Sequence, residues 1–179
     1  MISGNNIIAL VTGGVLTGSE TLEADLTSGF TTAVEQAMAA RLAALKVDGA
    51  AVFKTAEVWK YQLIANQGGT EAFDKYAPFA FVKYEPSADF SREGDGDLCQ
   101  KLRFSIGFGT RSKEAGIART GDANHIGISL IRDLVIDLFD SWHPGEGFVC
   151  DSFYFDGDEI QIDSPNRHAM IIYFKANLF

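Results

Sequence analysis

Three histidines, two cysteines and a scatter of acids are the residues of this chain whose types suit catalysis or metal binding. His143 follows Trp142 in the run Trp142-His143-Pro144-Gly145, but no motif sets a carboxylate or nucleophile beside it, and His125 and His168 stand in unrelated stretches. General acid–base work needs such an orienting partner. None of the three is therefore assigned a catalytic role. Asp89, Asp95 and Asp97 in SADFSREGDGD are hard oxygen donors, yet the regular alternation and closing Glu of a calcium loop are missing, and a solvated hairpin tip accounts for them. Gly13 to Ser19 (GGVLTGS) has the two-glycine spacing of a phosphate-binding loop, with Ser19 where the phosphate-reaching Lys must stand. Cys99 and Cys150 lack CxxC spacing and sit in strand-like segments, which reads as small buried hydrophobes in a reducing compartment. Trp59, Tyr61, Phe73 and Tyr76 have the faces of a cation cage, although core packing is what clustered aromatics ordinarily do. The expectation is a non-enzymatic protein with no cofactor and no metal.

Charge says more than chemistry. A net charge of -9 argues against a nucleic-acid-binding surface, because phosphate contacts need clustered Lys and Arg. It still allows a surface that keeps DNA from sticking. Lys101 to Arg119 holds five bases and one acid, whereas Glu146 to Asp163 holds six acids and no base. In a ring of identical subunits such patches face each other across a heterologous interface; in a monomer they are plain surface variation. The apolar run Ile7 to Leu16 is preceded by no base and is far short of the roughly 20 residues of a membrane span, which points to a chain kept in a cytoplasm.

These residues have to be positioned by an α+β fold. Residues 1–28, rich in Gly, Ser and Thr and free of bases, read as a flexible N-terminal arm or loose hairpin, and residues 29–179 as one domain. Phe30, Val34, Met38, Leu42 and Leu45 give a first helix, capped by Thr27 or Ser28 and stopped before Gly49. Val52 to Trp59 is a strand, Thr70 to Tyr76 a short helix, and Phe79 to Glu85 a strand whose flanking prolines suit an end or an edge. Leu98 to Gly109 alternates Leu102, Phe104, Ile106 and Phe108 with Lys101, Arg103 and Ser105, the period of a half-buried antiparallel strand. After a basic loop, Asp122 stands as N-cap of a long helix to Asp140, whose narrow polar stripe implies cover on more than one side. Phe148 to Phe155 and Glu159 to Asp163 read as a hairpin about Asp156-Gly157-Asp158, and His168 to Leu178 as the closing strand. The whole is a mostly antiparallel sheet covered by two main helices.

Taken in that order, RLAALKVDGAAVFKTAEVW, PFAFVKYEP, RFSIGFGTRS, GIARTGDANHIG, SLIRDLVIDLF and EIQIDSPNRHAMIIYFKANLF resemble the small tail-completion proteins of contractile-tailed, Mu-like bacteriophages and prophages, in the group that contains tail terminators. The resemblance spans residues 30–179, and its most specific part is the Arg-x-Gly loop Arg119 to Gly121. It implies a structural virion protein: a hexameric ring of identical subunits at the head-proximal end of the tail. Such a ring stops tube and sheath polymerisation and joins a neck or head-completion protein. Its partners would be the tail tube protein, the tail sheath protein and the neck, with DNA passing through unbound and no membrane involved. Arg111, Lys113 and Arg119 are then expected to contact a neighbouring subunit or the tail, and Asp133, Asp137 and Asp140 to form an acidic stripe facing the channel. A neck or head–tail connector component is the alternative in the same machinery, and a small ligand-binding or enzymatic domain the alternative outside it.

Overall fold

The computed structural model describes residues 19–59, 69–86, 90–93, 97–123 and 125–178. Its first helix, α1 (Ser19–Ala43), buries Val34, Met38 and Leu42 completely along one stripe. It begins at Ser19 and not behind a cap at Thr27 or Ser28, because Leu22, Glu23, Ala24 and Leu26 are strong helix formers that carry the turn through. Residues 19–28 of the expected arm are thus helical. The remainder of that arm, with the run Ile7 to Leu16 and all of GGVLTGS but Ser19, lies outside the described residues.

A two-residue hairpin follows, β1 (Lys46–Val47) against β2 (Ala50–Ala51). Asp48 and Gly49 at its tip have φ of 50° and 82°, as a type I′ turn requires at both positions. Gly49 therefore turns a hairpin and does not end a helix. Then come β3 (Thr55–Val58), α2 (Gly69–Tyr76), β4 (Phe79–Glu85), β5 (Phe90–Glu93), β6 (Asp97–Arg111), α3 (Ile117–Thr120), α4 (Ile128–Phe139), β7 (Tyr154–Ser164) and β8 (Arg167–Leu178).

The main sheet runs β3-β4-β6-β8-β7, antiparallel except for β3 beside β4, and is organised on β6. This 15-residue strand takes β8 along one edge and shares the other between β5, at Asp97 to Gln100, and β4, at Arg103 to Gly109. β4 is not an edge strand: Pro78 and Pro86 flank it without costing a ladder bond, and the Pro78 carbonyl accepts the Lys54 N–H at 2.8 Å. The Asp156-Gly157-Asp158 hairpin is also overturned. Those residues lie inside β7 at a bulge between Phe155 and Gly157, and the chain reverses at Pro165 and Asn166. Residues 148–153 are loop, tied to the sheet by a Cys150–Leu178 bridge.

One face of the sheet presents Leu102, Phe104, Ile106 and Phe108 with Ile172 and Phe174, all fully buried under α1 and α4. On the other face a smaller cluster of Phe73, Phe79, Phe81 and Ala169 sits under α2, with Trp59, edge-on to Phe81, and Tyr76 packed against it. Those aromatics pack against each other; Tyr61 lies outside the described residues. Within the chain α4 buries one face, through Ile128, Ile131, Val135 and Phe139, and Leu130 on its outer side is 46% exposed.

Candidate functional site

The basic loop between β6 and α4 is a built structure. Ser112 N–H donates to the Asn166 carbonyl at 3.0 Å, Gly116 N–H to the Pro165 carbonyl at 2.8 Å, and Asn166 Nδ2 to the Lys113 carbonyl at 3.0 Å. These three bonds dock the loop on the β7–β8 turn. Thr110, buried at the strand end, donates its hydroxyl to the Ala118 carbonyl at 2.7 Å and so anchors α3. Beyond α3 the chain crosses itself: a Cβ on Gly127 would meet the Gly121 nitrogen at 2.3 Å, and one on Gly121 the Gly127 nitrogen at 2.6 Å. Only two glycines pass that closely. Gly127 is the N-cap of α4 and makes no side-chain cap; Asp122, expected in that role, instead accepts the His125 N–H at 2.8 Å and closes the preceding turn.

The three predicted contact residues fall into two kinds. Arg111 is tied down: its Nε lies 3.3 Å from the Asp74 carboxylate, which also takes a two-pronged grip from Arg167 at 2.9 Å for each bond. The Arg167 hydrogen bonds, against some desolvation and with further help from the charges of Arg111 and Arg167, hold the Asp74 carboxyl below its ordinary value. This carboxylate pins α2 to the strand ends. Lys113 and Arg119, by contrast, are exposed, and their side chains make no ion pair or hydrogen bond among the described residues. Beside them a groove of about 650 Å³ opens between the β1–β2 hairpin and the start of α4, floored by Val47, Ala51, Pro78, Ile126 and Leu130.

The acidic residues are likewise sorted by the fold. Asp133 and Asp137 lie exposed on the outer face of α4, Asp133 paired with Arg132 at 3.0 Å. Asp140 ends the helix and accepts the Phe155 N–H at 3.1 Å. At the same helix end Arg41 of α1 donates to the Leu138 carbonyl at 3.1 Å, a cation where the macrodipole favours one. The run Glu146 to Asp163, without a base of its own, borrows bases across the sheet: Asp156 meets Arg103 at 3.1 Å and Lys175 at 2.8 Å, and Asp158 meets Arg132. The bulge beside Gly157 turns Asp156 onto the open sheet face, where Arg103 also lies 4.0 Å over the Tyr173 ring. Burial, and the hydrogen bond and charge of Glu159, push the Tyr173 phenol up to about 12.

The histidines occupy three separate structural roles. Gly145 N–H donates to His143 Nδ1 at 3.0 Å, so the ring proton belongs on Nε2, which donates to the Cys150 carbonyl at 3.0 Å. His168 is buried with Nδ1 2.9 Å from Asp163, and His125 faces Asp122 at 3.3 Å in solvent. Burial, then the Asp151 charge, pushes the Cys150 thiol up to about 11, which leaves it protonated and unreactive at neutral pH. Among the described residues no group of three or more His, Cys, Asp or Glu is placed to hold a metal ion, and no helix is long and apolar enough to cross a membrane. Asp89 and Asp95 lie outside the described residues.

Charge pairing across strands was the part that composition missed. Several of the pairs join residues far apart in sequence, 26 for Arg132–Asp158 and 93 for Arg167–Asp74, and only the packing of helices on the sheet brings them together. No protein-family model matches the chain, and no curated protein matches it.

Proposed function

We propose that this chain is a structural virion protein, a subunit of a hexameric ring that caps the head-proximal end of a contractile phage tail, ends tube and sheath growth and meets the neck. The observation that carries the reading is the basic loop. It is braced on both sides and holds Lys113 and Arg119 out to solvent. A rigid loop with two uncommitted cations suits a protein–protein contact, and the sequence resemblance over residues 30–179 supplies the kind of assembly. Asp133 and Asp137 on the outer face of α4 suit a channel wall, since like charges within a Debye length of about 8–10 Å repel passing DNA. No chemistry is assigned to the subunit.

The test is electron microscopy of lysates from a phage or prophage carrying this gene and from its deletion. Overlong tails of variable length, detached from heads, are expected of the deletion. Tails of normal length that fail to join heads would replace the terminator with a neck or connector component. Normal, infectious particles would overturn both.

A further inference from the structure

β7 closes the sheet with an edge that no described strand pairs, guarded by acids and two bulges. Natural edge strands are blunted by charged side chains, Lys above all, by Pro, by bulges or by a very short length. β7 is 11 residues long, contains neither Lys, Arg nor Pro, and exposes Ile160 at 60%, Ile162 at 39% and Tyr154 at 41%. What it does carry is acid. Residues 133–163, the outer part of α4 through β7, hold nine acids and no Lys or Arg. The charged bases that reach them from elsewhere are Arg103 and Lys175 on Asp156 and Arg132 on Asp133 and Asp158, with the His168 ring 2.9 Å from Asp163. About two thirds of that negative charge is left uncancelled.

From this edge and this charge we infer that β7 is the acceptor for an added strand, and that the strand it takes is an extended polypeptide segment with Lys or Arg alternating with apolar residues. Backbone pairing supplies the affinity, Ile160 and Ile162 offer apolar contact on the two sides of the strand, and the surrounding carboxylates select for basic side chains. A second β7 is rejected by the same carboxylates, since two copies would set acid against acid. The chain's own basic loop cannot serve, because its hydrogen bonds and α3 hold it out of extended conformation. The bulges between Phe155 and Gly157 and between Ile160 and Ile162 limit the open pairing to short stretches, so the affinity is modest and salt-dependent. The inference goes beyond the ring and stands without it.

The experiment uses the full chain and a labelled synthetic peptide of about eight residues alternating Lys with Val, a length that matches a common strand. Fluorescence anisotropy measures binding to this peptide, to its counterpart with every Lys replaced by Glu, and to one N-methylated at alternate backbone nitrogens. The Lys peptide is expected to bind at least about tenfold more tightly than either control. Amide exchange should slow in residues 157–164. The double variant Ile160→Thr with Ile162→Thr, which removes apolar contact without adding charge, should lose about tenfold in affinity at unchanged melting temperature, since both side chains are exposed. Equal binding of the N-methylated peptide would show plain electrostatic adsorption and overturn strand addition. Equal binding of the Glu peptide would overturn the charge selection, and protection centred away from β7, or no binding at all, would overturn the site.

Discussion

Glu35 shows how one side chain finishes what the strands leave open. β3 stops beside β4 at Val82, and the next outward position is the Tyr84 N–H, which donates to Glu35 Oε1 at 2.7 Å. Burial raises the Glu35 carboxyl above its ordinary value of 4.5, and the Tyr84 hydrogen bond offsets part of that rise. The folded chain therefore binds this proton more tightly than the unfolded chain. Whatever stability the proton contributes is full below pH 4.5 and is lost as pH rises through the raised folded value. Glu35→Gln keeps an acceptor and removes the charge, so at pH 7 the variant should be at least as stable as the parent. That advantage should fade as pH falls toward 4.5. Glu35→Ala leaves the N–H without its partner and should cost about 1–2 kcal/mol at either pH. Urea unfolding at pH 4.5 and 7 measures all three chains, and a Gln variant weaker than Ala would sink the account.

Among the elements, α4 depends on its approach more than on its cap. With Gly127 pressed on the backbone of Thr120 and Gly121, a methyl group has nowhere to go, and neither neighbour is a side chain that can swing aside. Gly127→Ala should destabilise by about 1–3 kcal/mol, the usual range for overpacking, whereas Ser129→Ala on the solvent side should stay within about 0.5 kcal/mol. Thermal and denaturant melts would read both, and a neutral Gly127→Ala would mean that the crossing relaxes freely. This crossing gives a physical reason for the Arg-x-Gly signature that stood out in the sequence. It could not be inferred there, because spacing does not reveal which two glycines meet. The alternation of β6 was legible because period 2 reports burial on one face directly, and the buried stripe of α1 was legible for the same reason at period 3.6. Turns were not. Asp48-Gly49 and Asp156-Gly157 are the same dipeptide, yet the first turns a hairpin and the second lies within a strand at a bulge, a difference decided by the cross-strand partners of β8. Candidate contact residues were legible by type, but their pairing waited on register.

At the scale of the molecule, ring formation can be separated from folding because the basic residues divide by their partners. The ring reading first suggests reversing Arg111, Lys113 and Arg119 together, but a Glu at position 111 would face Asp74 and strip α2 of part of its anchor. A failure of that triple variant to assemble would say nothing about the interface. Lys113→Glu with Arg119→Glu alters two exposed side chains that hold nothing within the described chain, so its stability should stay within about 1 kcal/mol of the parent. If the loop meets a neighbour's acidic surface, the double variant places acid against acid there and assembly fails. Native mass measurement of purified protein, or of rings recovered from tails, should then give six times the 19.4 kDa chain for the parent and the chain alone for the variant. Raising salt should weaken the parent ring, because the contact lies between solvent-facing charges. A double variant that assembles as the parent does would remove the loop from the interface. A parent that stays at the mass of one chain and is absent from purified tails would remove the ring.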